Sequence, residues 1–239
     1  MAEEKTKKRE FIEIKYTGYV NGEPFDSNIE EDLKKINEKE KARESVVCIG
    51  EGFVIPGLDK ALEGKEIGKE YEIEVSPKEG FGERRRELIR VLPLKAFTEK
   101  KVNPRPGMVL ALDNSIVKII AVSGARVSTD FNNPLSGKNL RYKFRIVRKV
   151  EDDSEKAKAL FEVIFKFVPE FDVKEKIIVK GPKVLEGFVK AFSEKFKELI
   201  GKELDFEEKK EEKKENSKEE KKASRTTSHH SPIFEAGSL

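Results

Sequence analysis

Apolar and polar residues alternate along several short segments, and this pattern predicts half-buried β-strands. The alternation runs through residues 11–20, 70–75 and 140–150. Asn21-Gly22 directly follows the first of these segments and is a strong signal for a tight hairpin turn, so a second strand should follow it. The pattern therefore predicts a sheet of short strands with antiparallel neighbours.

One short helix and one charged segment are predicted between these strands. Pro56 suits the first turn of a helix, and Gly64 is a typical residue for its end. Residues 30–44 are nearly all charged, with Leu33 and Ile36 three positions apart. We interpret the charged segment as either a short exposed helix or a mobile insertion.

The character of the chain changes over residues 84–130, where a small β-rich unit is predicted. Strands are expected at 108–112, 116–122 and 126–130. The unit has more apolar residues than it can bury, because small domains bury a low fraction of their surface. We expect an exposed patch or strand edge able to hold an unfolded chain. A tight interior with nothing left over is the alternative.

A third unit is predicted over residues 153–206. Apolar residues recur at helical spacing before residue 168 and again over 185–200, and Gly201 is a typical helix end. Residues 176–179 read as a strand between these helices. We therefore predict a small α+β domain with its own core.

The end of the chain is highly charged and is predicted to be a disordered tail over residues 207–239. Residues 207–222 are almost entirely Glu and Lys, with like charges four positions apart, which destabilises an isolated helix.

Composition excludes several classes of function. The 49 Lys and Arg residues nearly balance the 46 Asp and Glu residues, so the net charge of +3 does not favour nucleic acid or an acidic membrane. Cys48 is the single cysteine, which excludes an internal disulfide framework and a multi-cysteine metal site. The two histidines, His229 and His230, are adjacent near the C-terminus and make a poor metal site by themselves. Triad chemistry, zinc chemistry and cofactors are therefore not expected in the folded part.

The compartment is expected to be a reducing one, and we predict a cytoplasmic protein. The chain shows no secretory signal, and no apolar run of about 18 residues that could span a membrane. Abundant Lys and Glu with scarce Cys and Met resemble the composition of thermophile proteins.

An ordered set of motifs in the first 150 residues resembles one known family. The motifs are Tyr16-x-Gly18, Gly22-x-x-Phe25-Asp26, Gly52-Phe53-Val54-Ile55-Pro56-Gly57-Leu58, Gly64-x-x-x-Gly68, Pro77-x-x-Gly80-Phe81-Gly82 and Asn132-x-Pro134-Leu135-x-Gly137-x-x-Leu140. Together they resemble the FKBP-type peptidyl-prolyl cis/trans isomerases. The β-rich unit after Gly-Phe-Gly narrows the likeness to SlyD-like and archaeal long-type members, in which an insert-in-flap domain interrupts the isomerase domain.

The resemblance implies an α+β fold in which a half-barrel antiparallel sheet wraps around one short helix. It implies a discontinuous isomerase domain at residues 8–83 and 131–150, interrupted by an insert-in-flap chaperone domain at 84–130. The small α+β domain at 153–206 would follow, and ribosome binding or self-association through it is a guess.

The resemblance also implies the site residues. Asp26 would be a buried carboxylate that orients Tyr16 or acts on the amide, the backbone N–H of Ile55 would bind a substrate carbonyl, and Tyr142 would join them in catalysis. The remaining walls of an apolar substrate pocket would be Tyr16, Phe25, Val54, Leu58 and Phe81.

Such a site needs no nucleophile, metal or cofactor. Rotation about an X–Pro bond has a barrier of about 20 kcal/mol because the planar amide must lose its resonance. A dry apolar pocket disfavours the charge-separated planar amide, and a donor near the prolyl nitrogen favours the twisted state.

The expected function is therefore X–Pro isomerisation in unfolded or partly folded proteins, with client holding by the insert. The alternative is a non-catalytic holdase or assembly adaptor with a vestigial pocket. Many family members have Trp where Leu58 stands and Tyr where Phe81 stands. The missing hydroxyl at Phe81 argues against tight macrolide binding more than against isomerase activity.

Overall fold

The computed structural model describes residues 5–112 and 115–209 and divides the chain into two compact units. The first unit combines the described residues up to Arg84 with those from Asn133 onward, and the second contains Arg85–Asn132. His229 and His230, with most of the predicted charged tail, lie outside the described residues.

The described chain contains the following strands and helices in order. The strands are β1 (Phe11–Val20), β2 (Glu23–Ser27), β3 (Ser45–Cys48), β4 (Glu70–Val75), β5 (Ile89–Pro93), β6 (Val109–Leu112), β7 (Ser115–Ser123), β8 (Arg126–Asp130), β9 (Leu140–Lys149), β10 (Glu170–Val173), β11 (Ile177–Gly181) and β12 (Leu204–Glu208). The α-helices are α1 (Glu30–Ile36), α2 (Pro56–Leu62), α3 (Lys95–Thr98), α4 (Asp153–Ile164) and α5 (Leu185–Ile200).

The first unit is built on a five-stranded antiparallel sheet with the order β2-β1-β9-β4, in which β3 also pairs with β1. Asn21 and Gly22 connect β1 to β2 with φ angles of 52° and 89°, the left-handed conformations that a two-residue hairpin turn requires. Helix α2 packs against one face of this sheet. Together with the antiparallel sheet, α2 confirms the predicted α+β fold of the isomerase type.

The charged segment that follows β2 contains a helix. Helix α1 covers only the first part of the predicted 30–44 region, and Leu33 is its buried residue. A single buried leucine explains why the hydrophobic pattern there is so weak.

The start of β1 is buried on both faces, which the alternating pattern did not predict. Ile12 and Ile14 belong to the core beneath α2, while Phe11 belongs to a second core on the opposite face. Glu13 also faces that side, where Arg148 lies 2.7 Å from its carboxylate and also contacts Glu155 of α4 at 2.8 Å.

The second core of the first unit is formed largely by the C-terminal region. A three-stranded sheet with the order β10-β11-β12 carries α4 and α5, and β11 and β12 are parallel. Phe161 and Phe196 are fully buried and lie 4.8 Å apart between ring centroids. Their cluster also contains Phe11 and Cys48 of the five-stranded sheet. The C-terminal region was expected to have its own core, but in the structure it shares that core with β1 and β3.

Two short strands of this region carried no clear sequence signal. Strand β10 has only four residues. Strand β12 extends through Glu208, two residues into the segment that was predicted to be a disordered tail. Both strands are stabilised by pairing with β11, whose own apolar run made it predictable. Helix α5 ends as predicted at Gly201, which has a φ of 83°.

The second unit is a four-stranded antiparallel sheet with the order β5-β8-β7-β6, and α3 covers one of its faces. Phe97 of α3 packs with Val117, Ile119 and Val127, all of which are buried. The three strands predicted in this unit are present as β6, β7 and β8.

Removing a side chain from the shared core should destabilise the first unit as a whole. We expect Phe161→Ala to lower the free energy of unfolding by about 3–5 kcal/mol, because it empties a fully enclosed site. Urea unfolding followed by far-UV circular dichroism measures this change.

The matched control for this variant is Phe167→Ala, because Phe167 lies just beyond α4 and is 47% exposed. Its cost should stay below about 1 kcal/mol. Equal destabilisation by the two variants would contradict a shared core at this position.

Candidate functional site

An apolar pocket of about 360 Å³ opens between the five-stranded sheet and the residues that lead into α2. Its lining consists of Tyr16, Asp26, Phe53, Val54, Ile55, Leu58, Phe81 and Tyr142. All but one of the sequence-predicted site residues therefore meet at one cavity, and among the described residues Asp26 contributes the only formal charge to the lining. We call this cavity the apolar pocket.

Phe25 is the predicted wall residue that does not line the apolar pocket. Its ring instead packs edge-to-face on Tyr142 at 5.8 Å and on Phe81 at 6.1 Å, measured between centroids. Such contacts fix ring orientation as well as burying surface. Phe25 therefore supports two lining aromatic rings from behind.

Gly18 makes this aromatic packing possible. A Cβ atom at position 18 would lie 2.8 Å from Cζ of Phe25 and 2.9 Å from Cε1 of Tyr142, closer than real Cβ contacts come. Any side chain at this position would displace both rings. Side-chain packing, and not a turn, therefore explains the glycine of the Tyr16-x-Gly18 motif.

Asp26 and Tyr16 form the polar side of the apolar pocket. The Tyr16 hydroxyl donates a hydrogen bond of 3.1 Å to Oδ2 of Asp26. The carboxylate was predicted to be buried, but Asp26 as a residue is exposed, because β2 is an edge strand of the sheet. Its carboxyl group nevertheless borders the cavity. Loss of water there raises the pKa of Asp26 above its usual value, and the Tyr16 hydrogen bond partly offsets this rise.

The two tyrosine hydroxyls of the apolar pocket are protonated at neutral pH. Burial raises the pKa of Tyr16, and the Asp26 charge raises it further. The same two causes raise the pKa of Tyr142. Each hydroxyl can therefore act as a hydrogen-bond donor, while Asp26 acts as an acceptor.

A short loop positions the opposite wall of the apolar pocket. Gly50 and Gly52, with φ angles of 82° and 71°, donate their backbone N–H groups to the Asp59 carboxylate at 2.8 Å and 3.1 Å. Asp59 belongs to α2 and is buried, and its own N–H donates to the Ile55 carbonyl at 3.0 Å. The loop is thereby tied to the helix just before Val54 and Ile55.

The backbone N–H of Ile55 remains available at this wall. Among the backbone hydrogen bonds of the described residues, none is donated by Ile55. Pro56 begins α2 directly after it, so this N–H lies outside the hydrogen-bond pattern of the helix. Ile55 as a residue lines the apolar pocket.

Sequence reasoning missed Phe53 and Asp59. Phe53 lines the cavity and packs edge-to-face on Phe11 at 6.2 Å. Its place between Gly52 and Val54 in the motif was the available signal. Asp59 looked like an ordinary surface residue of α2, because only the tertiary structure brings two glycine amides to its carboxylate.

A larger cavity of about 490 Å³ lies on the other face of the five-stranded sheet. Its lining includes Lys15, Thr17 and Tyr19, which alternate along β1 with residues of the apolar pocket and core. Charged groups of both signs, among them Glu72 and Arg145, dominate this cavity. These charged groups distinguish it from the apolar pocket, whose lining contains one charged residue in the part of the chain that the structure describes.

Among the described residues, no helix is long and apolar enough to cross a membrane. No group of three or more His, Cys, Asp or Glu side chains is arranged there to hold a metal ion.

Comparison with known proteins identifies the class to which this fold and site belong. A family model described as FKBP-type peptidyl-prolyl cis-trans isomerase matches residues 2–97, and one described as FKBP26, IF domain matches residues 90–135. The chain belongs to the FKBP-type peptidyl-prolyl cis-trans isomerase family, so it is an isomerase of this type.

Similarity to individual relatives narrows the classification to the SlyD-like members of the family. The short-type peptidyl-prolyl cis-trans isomerase of Methanocaldococcus jannaschii is 32% identical over 143 residues, which cover 59% of this chain and 91% of that protein. The SlyD isomerase of Haemophilus influenzae is 33% identical over 41% of this chain and 53% of its own length. That of Treponema pallidum is 31% identical over 44% and 62%. The chain therefore spans little more than half of these SlyD proteins.

Removing the Tyr16 hydroxyl should raise the pKa of Asp26 further. Tyr16→Phe deletes the hydrogen bond that stabilises the ionised carboxylate but leaves the apolar surroundings that destabilise it. We expect the Asp26 carboxyl carbon to titrate at higher pH in an NMR experiment, so a larger fraction is protonated at any given acidic pH.

Tyr19→Phe is the matched control, because the Tyr19 hydroxyl contacts Asp32 on the other face of β1. It should leave the Asp26 titration unchanged. A midpoint that stays the same or falls in Tyr16→Phe would contradict the assigned hydrogen bond.

Proposed function

We propose that this isomerase acts on X–Pro bonds of unfolded or partly folded proteins and that its insert unit holds such clients. The catalytic part of the proposal rests on one observation. The apolar pocket joins aromatic and aliphatic walls to a carboxylate with a tyrosine partner, and it is also lined by Ile55, whose backbone N–H donates none of the backbone hydrogen bonds of the described residues.

The apolar pocket suits a proline ring and a twisted amide. The planar amide owes its resonance to charge separation between oxygen and nitrogen, and a surrounding of low polarity weakens that separation. Val54, Leu58 and Phe81 supply apolar contacts for the ring. The apolar pocket therefore binds the twisted amide more tightly than the planar one, and this difference in binding lowers the barrier to rotation.

The polar groups would act on the substrate in different ways. The Ile55 N–H would donate to the carbonyl of a bound substrate and so fix its position. The Tyr142 hydroxyl would serve as a further donor. Asp26 would contribute negative potential at the mouth of the apolar pocket and hold the Tyr16 ring through its hydrogen bond.

Client holding is proposed from the uncovered face of the insert sheet. Cross-strand pairing aligns Ile89 with Val109 through Asp130 and Lys118, and it brings Val91 and Ile116 to the same face. All four apolar side chains are exposed, Val91 and Ile116 to 60% each. The insert core lies on the opposite face, so these residues have no packing role there.

Exposed β-branched residues that share one face of a sheet suit an extended apolar polypeptide. We define the four residues Ile89, Val91, Val109 and Ile116 as the outer face. The outer face supports the expectation of a surplus apolar surface rather than the alternative of a tight interior.

A cytoplasmic location stays a prediction from the sequence.

Catalysis is tested by the cis-to-trans relaxation of a short X–Pro peptide. We expect wild type to accelerate the relaxation and Asp26→Ala to lower kcat/KM by about tenfold, which corresponds to ~1.4 kcal/mol of lost transition-state stabilisation. Tyr142→Ala should lower it at least as much, because it also removes a wall of the apolar pocket.

Glu72→Ala is the control for charge, since Glu72 is an exposed acid on the other face of the sheet. It should retain wild-type activity. No acceleration by wild type would leave the non-catalytic holdase as the better hypothesis.

Client holding is tested by two substitutions on the outer face. The double variant Val91→Ser with Ile116→Ser should keep full activity on the short peptide and lose about tenfold in its acceleration of the proline-limited refolding of a protein, because only the larger substrate needs the apolar surface.

Val184→Ser serves as the control, because Val184 is 71% exposed and belongs to the first unit. It should change neither activity. Refolding assistance that survives the double substitution would contradict a holding role for the outer face.

A further inference from the structure

The C-terminal helix α5 makes direct ionic contact with the loop that leads into the apolar pocket. The Lys195 ammonium group lies 2.6 Å from Oε2 of Glu51, whose side chain is only 12% exposed. Arg9 lies 3.6 Å from Oε1 of Glu51 and 2.6 Å from Glu198, and Lys195 lies 3.5 Å from Glu198. The four side chains form a closed ring of alternating charge, which we call the charge ring.

Glu51 occupies a key position in the loop. Its neighbours Gly50 and Gly52 are the residues whose N–H groups bind Asp59. Asp59 therefore holds the loop from α2, while the charge ring holds the side chain between those two amides from α5. Phe53, which follows, lines the apolar pocket and packs against the shared core.

The charge ring differs from an isolated surface ion pair, because it links four side chains and the Glu51 side chain is only 12% exposed. Isolated exposed pairs contribute little to stability, but a network with one largely enclosed member behaves differently. Loss of Lys195 would leave the Glu51 carboxylate little exposed to water and held only by the more distant Arg9, which favours a rearrangement of the loop.

We propose that Lys195 is a positioning residue for the isomerase reaction. Through Glu51 it fixes the loop of residues 50–55, and thereby the Phe53 wall and the Ile55 N–H. This inference rests on the proposed role of Ile55 in substrate binding. It gives the C-terminal region a part in catalysis, although none of its residues lines the apolar pocket.

The test compares variants of the full chain in the short X–Pro peptide assay and by NMR relaxation of the Ile55 amide. Lys195→Met keeps most of the apolar stem and removes the charge. We expect kcat/KM to fall by about threefold to tenfold, because small displacements of positioning groups are costly, and the Ile55 amide to show new exchange broadening. Lys195→Arg should restore both towards wild type.

Lys190→Met is the matched control on the same helix. Lys190 is exposed and its ion pair is with Glu186, within α5. This variant should leave the activity and the Ile55 amide unchanged. Glu51→Gln, which removes charge at nearly constant size, should reproduce the effects of Lys195→Met and serves in its place if that variant does not fold.

The outcomes separate this inference from the proposed function. A wild-type protein that does not accelerate the peptide would overturn both. An active wild type, with Lys195→Met or Glu51→Gln matching it in both activity and Ile55 relaxation, would overturn only the role of Lys195. Equal losses in Lys195→Met and Lys195→Arg without any change at Ile55 would also overturn it.

Discussion

The burial of both faces of β1 is the constraint on which the first unit depends. Ile12 and Ile14 lie under α2, whereas Phe11 and Glu13 face the C-terminal region. A strand covered on one face can tolerate slippage only by exposing its apolar residues, and a strand covered on both faces cannot slip without breaking two cores. The register of β1 is therefore strongly fixed at its beginning.

That fixed register decides where the site residues lie. Farther along β1, Tyr16 faces the apolar pocket, and Gly18 leaves the space that Phe25 and Tyr142 occupy. The opposite wall depends on the same double core, because Phe53 packs on Phe11 as well as lining the cavity. The apolar pocket is thus formed between elements whose positions are set by packing elsewhere in the unit.

Sequence patterns predicted the parts of the fold that depend on local signals. The bounds of β1, the Asn21-Gly22 turn and the end of α5 at Gly201 follow from alternation, turn chemistry and a left-handed cap. The shared core could not be predicted, because an apolar residue such as Phe11 looks the same in the sequence whether it packs against a neighbouring strand or against a helix far away in the chain. For the same reason the last two residues of β12, which are charged and pair with β11, were assigned to the tail.

The same distinction applies to the site: the ordered motifs predicted which residues form it, but not the tertiary contacts that these residues make. The motifs indicated Asp26, but not that it is an exposed residue of an edge strand that also lines the cavity. This location suits an electrostatic role better than proton transfer. Amide rotation transfers no proton, and both neighbouring tyrosines have raised pKa values and remain neutral donors. A carboxylate beside an apolar wall provides a fixed negative potential when it is ionised, and its cost in lost hydration is limited because part of the residue still contacts water.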